Sequence, residues 1–190
     1  MGERPMEIWN EEKIKTFADV KGGKRLPKGK QLVLLPTAHP YIRIRDIGKT
    51  KYLQLTPDFE YVDDETQKEI SRYVVSKGDI LISVVGTIGL LGIVGDTLDG
   101  ANQTENCDKI TNLKGIDRDF LYYYLMSPYG QGEIAKGTVG AVQPKLPLKN
   151  IKDFTIRYPS LQTQKKIASL LSALDDKIEK NTEVNENLAA

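Results

Sequence analysis

The C-terminal thirty residues constrain this chain most. No glycine or proline interrupts Leu161–Ala190, and an unbroken helix of that length extends about 45 Å at 1.5 Å per residue. Ile167, Leu174, Asn181 and Leu188 recur at a spacing of seven, with Leu170, Lys177 and Val184 in the intervening positions. Leu171 and Ile178 widen the stripe. A helix patterned in this way cannot bury its apolar face against a small domain alone, so a partner helix is expected. Asn181 sits where a polar residue fixes register or strand number at some cost in stability. A helix folded back over its own domain is the open alternative. The ending Leu188-Ala189-Ala190 carries no C-cap, which suggests a portion of something longer or a deliberately minimal unit.

The preceding stretch is ordinary in composition. With 39% hydrophobic and 28% charged residues over 190 positions, the chain can build one domain with a sizeable core plus an extra element. Cys107 is the single cysteine and His39 the single histidine. That count excludes a disulfide framework, a cysteine-based metal site and a multi-histidine zinc site, and it points to a reducing, cytoplasmic compartment. Met1–Asn10 has no apolar run before a cleavage site, so no signal peptide is expected. Ile80–Gly95 is free of charge but contains four glycines, and reads as two strands around a turn rather than a membrane span. No membrane association is expected.

Local patterns predict an α+β chain: a mostly β domain over residues 1–159 with short helices, then a long coiled-coil-forming helix over 160–190. Trp9 and Phe17 suggest an entering strand or short packed segment. Lys21–Lys30 is a Gly/Lys/Pro loop. Tyr41–Ile47 alternates, which predicts a half-buried strand with Ile42 and Ile44 inward and Arg43 and Arg45 side by side outward. Asp63–Ser71 and Asp117–Met126 read as helices, the second with Asp117 as N-cap. Val74–Val75, Ile80–Val85, Leu90–Val94 and Phe154–Tyr158 read as strands. Gly130–Gln143 reads as a polar, glycine-spaced loop.

Net charge is only +1, but the charges segregate. Nine basic residues between Lys21 and Lys51 face Asp46 alone, and six acids from Asp58 to Glu69 follow, a pattern compatible with one basic and one acidic side. A solvated surface of mixed sign is the plainer reading. Three segments suit nucleic acid. In Lys21–Lys30, glycines permit close approach and lysines neutralise phosphate. Gly86-Thr87-Ile88-Gly89 exposes backbone N–H groups and a hydroxyl, although an ordinary hairpin has the same sequence. Gly137–Lys145 is flexible and carries an amide and an ammonium. Arginine pairs with guanine and amides with adenine, so Arg43, Arg45 and Gln143 are candidate base readers, and Asn102, Gln103 and Asn106 add a further amide cluster. Lys24, Arg25, Lys28, Lys49, Lys51 and Lys145 are candidate phosphate or rim contacts, with Thr87 beside them.

Catalytic patterns are missing. There is no G-x-x-x-x-G-K-[ST] loop, no H-E-x-x-H, no G-x-S-x-G and no Asn-Pro-Pro-aromatic or Asp-Pro-Pro-aromatic segment. Asp63-Asp64-Glu65 suits a helix N-terminus better than a metal site. Cys107 reads as a small buried residue. No catalytic or metal-binding residue is assigned.

In order along the chain, "GDILISVVGTIGLLGIV", "ANQTEN" and "FLYYYLMSPYGQGEIAKGTVGAVQPKLPLKNIKDFTIRYPSLQTQKKIASLLSALDDKIEKN" resemble the specificity subunit of type I restriction-modification enzymes, from about Trp9 to the C-terminus. The resemblance implies a non-catalytic recognition domain that reads one part of a bipartite site in double-stranded DNA. It also implies helical regions that act as a spacer, and docking to methyltransferase subunits that hold S-adenosylmethionine. Motor-nuclease subunits are further implied partners, and no cofactor is expected in this chain itself. The family's common form has two recognition domains and two helical regions; this chain has one of each. A two-fold homodimer through Ile167, Leu170, Leu171, Leu174, Ile178, Asn181, Val184 and Leu188 would supply the other half by symmetry. The competing readings are a coiled-coil protein-interaction module without sequence-specific DNA binding, and a stand-alone or fragmentary DNA methyltransferase.

Overall fold

Ile80, Leu81 and Ile82 are fully buried in succession, which places their strand between two layers of core. The computed structural model describes residues 8–189, with the side chains of 183 and 186–189 outside the description. The readings made above of residues 1–7, of the Leu188 side chain and of Ala190 therefore fall outside it.

In chain order the elements are β1 (Asn10–Lys13), α1 (Ile14–Phe17), β2 (Asp19–Gly22), β3 (Tyr41–Ile42), β4 (Tyr52–Leu53), α2 (Asp64–Ile70), β5 (Ile80–Ser83), β6 (Leu91–Val94), β7 (Asn102–Gln103), β8 (Cys107–Thr111), α3 (Arg118–Met126), α4 (Pro128–Gly137), α5 (Leu148–Lys152), β9 (Thr155–Tyr158) and α6 (Leu161–Ala189). This is the α+β head followed by a long helix that the sequence predicts. The main sheet runs β2-β8-β5-β6-β4, antiparallel except where β4 lies parallel to β6. Side-chain alternation divides β5 between two cores. Ile80 and Ile82 face α1, α3, α4 and α5, whereas Leu81 faces Ile42, Leu53, Phe59 and Cys107. A small pair, β1 with β9, closes the first core and leads directly into α6.

Helix starts follow their caps. The Asp63 carboxylate accepts from Thr66 N at 2.6 Å and that of Asp117 from Phe120 N at 2.9 Å, which satisfies N–H groups that a helix leaves unpaired. The carboxylate cluster at 63–65 is thus a helix N-terminus. Two segments depart from the pattern expected of them. The strand predicted over Tyr41–Ile47 stops at Ile42, because Asp46 folds back to accept from Arg43 N at 2.8 Å and the chain turns through a short 3-10 segment, Ile44–Asp46. Arg43 and Arg45 therefore do not form the expected outward pair on a strand.

Gly130–Gln143 is not all loop: residues up to Gly137 belong to α4, which opens with Pro128 in its first turn and Ser127 as its cap. Two of its glycines, Gly130 and Gly137, are there for close approach. A Cβ on Gly130 would lie 2.3 Å from Leu125 Cα and from the Tyr124 carbonyl oxygen, and one on Gly137 would lie 2.8 Å from Phe154 Cε1. A Cβ on Gly132 meets nothing within 4 Å. Gly130→Ala is expected to lose about 1–3 kcal/mol of stability through overpacking. Gly132→Ala should gain about 0.4–1 kcal/mol by restricting the unfolded chain. Denaturant unfolding of the two variants checks both signs.

Candidate nucleic-acid interface

One end of the main sheet collects the turns that the sequence singles out. The β5–β6 hairpin is stapled by the buried Ser83, whose hydroxyl donates to the Thr87 carbonyl at 2.6 Å and accepts from Leu90 N at 2.8 Å. Gly86 and Gly89 supply the positive φ values of 76° and 86° that the turn needs. Thr87 stands exposed at its tip. Beside it, Leu146 N donates to the Val84 carbonyl at 2.9 Å, and Val139 and Lys145 exchange both backbone hydrogen bonds, at 2.8 and 2.9 Å. The chain from Gly140 to Pro144 is therefore a closed tip, with Gly140 at φ 97°. Gln143 and Lys145 are exposed on it, and Val142 is 93% exposed.

Continuing along the sheet end, Val84 N donates to the Asn106 carbonyl at 2.8 Å, and Lys24 N donates to the Gln103 carbonyl at 3.0 Å. The structure thus brings Lys24, Arg25, Thr87, Asn106, Gln143 and Lys145 onto one strip. Lys28 is exposed a few residues further along the Arg25 loop. Arg25 projects into solvent but is held by Glu105 at 2.6 Å. The glycine at position 23 serves a structural purpose: its Cβ would fall 2.0 Å from the Thr104 carbonyl oxygen. Close approach in the Lys21–Lys30 loop is therefore to the protein's own backbone.

Other expected contacts lie elsewhere, and the reasons are physical. Gln103 is 1% exposed and donates to the Cys107 carbonyl at 3.1 Å, so it presents no edge to a base. The neighbouring Asn102 is likewise buried and donates to the Ile70 carbonyl at 3.2 Å. The Arg43 guanidinium is largely buried over the Phe59 ring, held by Asp46 at 3.0 Å and paired with Glu60. A guanidinium neutralised twice has no free fork for guanine. Arg45 is exposed and shares Glu60 at 3.2 Å, in the segment whose Ile44 lies against the Gly86 turn. Lys49 is exposed beside α6, and Lys51 is buried under it. The proposed division into a basic and an acidic side also fails in this region. Lys30 pairs with Glu65, and Arg43 and Arg45 with Glu60, so the basic stretch and the acidic stretch neutralise each other across a fold.

Beneath the strip lies a group that the sequence did not flag. Asp108 pairs with Ile82 and Gly22 on its two sides. It is 5% exposed, and a Cβ on Gly22 would meet its Oδ1 at 3.3 Å and Leu148 Cδ1 at 3.8 Å. Burial without a compensating charge pushes its carboxyl up to about 7. Cys107, next to it, is fully buried, and burial pushes its thiol up as well, which suits an inert core residue. Among the described residues there is no group of three or more His, Cys, Asp or Glu able to hold a metal, and no helix long and apolar enough to cross a membrane.

On the helix side, α6 divides into faces. Gln164 is 1% exposed; its Oε1 accepts from Asp117 N at 2.8 Å and its Nε2 donates to the Pro159 carbonyl at 2.9 Å. Ala168 is buried, and Ser172 and Asp175 bond to the head. At 100° per residue these four share one side of the helix. Of the expected pairing residues, Ile167 packs partly into the head's own core and Leu171 is half-buried. Leu170, Leu174, Ile178 and Val184 are exposed, at 66%, 51%, 64% and 55%, with Asn181 exposed among them. Their stripe is centred roughly 135° around the helix from the docked side.

A sheet end lined with exposed turns is thus joined to a helix that docks by a polar side and leaves an apolar stripe exposed. Residues 6–190 match the family model of the type I restriction modification DNA specificity domain, and the chain belongs to that family. It is 28% identical over 180 residues to the type I restriction enzyme MjaIX specificity subunit of Methanocaldococcus jannaschii, covering 95% of this chain and 41% of that protein. The fold is shared with a chain from a structural study of assembly and conformational transition in the type I R-M system, at TM-score 0.72 and 18% identity over 98% of this chain and 43% of the other. It is also shared with the type I S subunit from M. genitalium, at TM-score 0.65 and 20% identity over 99% and 45% of the two chains. The chain thus spans less than half the length of these relatives.

The carboxyl of Asp108 generates a pH prediction. Its folded value lies above the ordinary 3.8, so between about pH 4 and pH 7 the folded state holds a proton that the unfolded state has released, and stability falls as pH rises through that window. Asp108→Asn is expected to flatten this slope and to be the more stable form at pH 8, by on the order of 1.4 kcal/mol per unit of displacement removed. Urea unfolding of both forms at pH 5 and pH 8 measures it.

Proposed function

We propose that this chain is a DNA-reading specificity element whose head takes one part of a bipartite site and whose α6 pairs with a second α6 to set two heads apart. The observation that carries the reading is the gathering of Thr87, Asn106, Gln143 and Lys145, contributed by three separate turns, at one exposed end of a rigid sheet. Sites held on a sheet end keep their geometry while the turns vary. Lysines on the strip and on the Arg25 loop supply sequence-independent attraction to phosphate, and Gln143 supplies a bidentate amide for adenine. Val142 adds an aliphatic contact suited to the thymine methyl group. Sequence reading passed over this residue, although an aliphatic side chain on a tip between Gly140 and Pro144 was a usable signal.

The open stripe from Leu170 to Val184 supports the partner helix, and Asn181 on it gives a polar pair that favours one register. A second copy of this chain satisfies both by two-fold symmetry and yields a split, pseudo-palindromic site. Within this reading the chain is non-catalytic. S-adenosylmethionine and the methyl transfer belong to partner methyltransferase subunits, and motor-nuclease subunits are the further partner class.

Co-expression with a type I methyltransferase subunit, followed by mapping of methylated adenines, tests the role: a split motif is expected, and methylation without sequence preference would overturn it. In direct binding, Gln143→Ala should cost about 1–3 kcal/mol and relax preference at one base position. Lys28→Ala should weaken all sequences alike and lower the salt slope by about one. Arg43→Ala and Gln103→Ala should act on stability and leave base preference intact. For assembly, sedimentation of the free protein is expected to give twice the chain mass, and Leu174→Lys with Ile178→Lys should return it to one chain.

A further inference from the structure

Lys51 was expected at DNA phosphates, yet its side chain is only 8% exposed. It leaves the edge of the main sheet, where its carbonyl accepts from Ile93 N at 2.8 Å, and crosses beneath α6. Its ammonium lies 2.8 Å from Asp119 Oδ1, donates to Ser172 Oγ at 2.6 Å, and reaches Tyr123 OH at 3.2 Å. The rings of Tyr52, Tyr122 and Tyr123 surround it, with centroids at 5.0, 5.9 and 4.5 Å. The Tyr123 hydroxyl in turn donates to Asp175 at 2.7 Å. One buried cation therefore ties the sheet edge, α3 and α6 together.

We propose that Lys51 is the lock that fixes the angle between the head and α6, and through that angle the spacer length between half-sites that the assembled protein accepts. The spacer clause rests on the DNA-reading role proposed above; the angular clause does not.

The physical case starts from what holds a helix in one orientation. Apolar contacts such as Ala168 on the head tolerate small slides and tilts, because burial energy has little direction. A buried ammonium does not, since each donor must stay on its acceptor or lie unsolvated. Ser172 and Asp175 form the outer end of the docked side, and Gln164 pins the inner end. Removal of the outer pin leaves α6 hinged near Gln164.

The lever beyond the hinge is long. From Gln164 the helix runs on to Ala189, about 38 Å. A tilt of about 5° moves that end by about 3.3 Å, which matches the ~3.4 Å rise of one base pair. One base pair also turns a half-site by roughly 35° around the duplex. Slack of this size at the joint is therefore enough to admit a wrong spacer, and a rigid joint is needed to exclude it.

Spin labels at Lys68→Cys on α2 and Lys180→Cys on α6, both exposed positions, report the angle in the full chain. Cys107 is fully buried and does not compete for label. Dilution with unlabelled protein restricts the signal to distances within one chain. The unmodified protein is expected to give one narrow distance. Lys51→Met, which keeps the stem among the three rings and removes the donors, should broaden it. Ser172→Ala and Asp175→Asn should broaden it in the same direction, and these half-exposed helix positions decide the matter if Lys51→Met does not fold.

On DNA, Lys51→Met should leave affinity for an isolated half-site unchanged, while preference for the matching spacer over one a base pair longer falls about ten-fold. Narrow, unshifted distances in all three variants would overturn the lock, as would unaltered spacer preference alongside broadened distances for its spacer clause. Loss of half-site affinity in Lys51→Met would return the residue to direct DNA contact and also overturn it. If the unmodified protein shows no sequence-specific half-site binding, the DNA reading and the spacer clause fall together, and the distance distributions alone still decide the angular lock.

Discussion

The contact between α3 and the polar side of α6 is the one on which the functional architecture depends. Gln164 satisfies a free N–H at the start of α3 and the Pro159 carbonyl at once, and Ser172 and Asp175 are bonded further along. Because this side is polar and small, docking consumes little of the apolar stripe. A helix whose leucines faced the head would be buried and finished. Here Leu170, Leu174 and Ile178 remain exposed, so the same element is both fixed to its head and open to a partner. The helix divides its circumference between a docked polar side and an exposed apolar stripe.

The second organising constraint is β5, buried on both faces. It fixes the sheet rigidly enough that its far end can carry turns of little intrinsic order. The Ser83 hydroxyl and the exchanged backbone bonds between Val139 and Lys145 hold those turns in place. Side chains such as Thr87, Val142 and Gln143 are then free of structural duty. With this separation the tips can change without cost to the core. The buried Asp108 beneath them is the exception, a destabilising group in the scaffold itself.

Much of this was legible beforehand. An uncharged apolar run broken by glycine turns gave β5 and β6. Asp63 and Asp117 marked helix starts because a cap is a local device, decided within four residues. The turn at Gly86–Gly89 and the tip around Gln143 were recognised because left-handed conformations demand glycine. Residues whose roles depend on distant partners were misread. Gly130 and Gly137 looked like loop glycines, since nothing near them in sequence reveals that Leu125 and Phe154 press against them. Arg43 looked free because Glu60, which pairs with it alongside Asp46, lies seventeen residues on. Gln103 and Lys51 were chemically suited to DNA, and burial, which no local pattern reports, removed them from it.

By itself, the sequence determined that the chain is an α+β head followed by an uninterrupted amphipathic helix, with certain turns at fixed places. These are properties of backbone preference and hydrophobic period, which act over a few residues. Tertiary structure decided which turns share an end of the sheet, which basic residues are neutralised, and which side of α6 is already occupied. Those questions concern groups far apart along the chain, and charge pairing and desolvation depend on distance in space. A lysine at position 51 is only a positive charge until the fold places Asp119 and Ser172 around it.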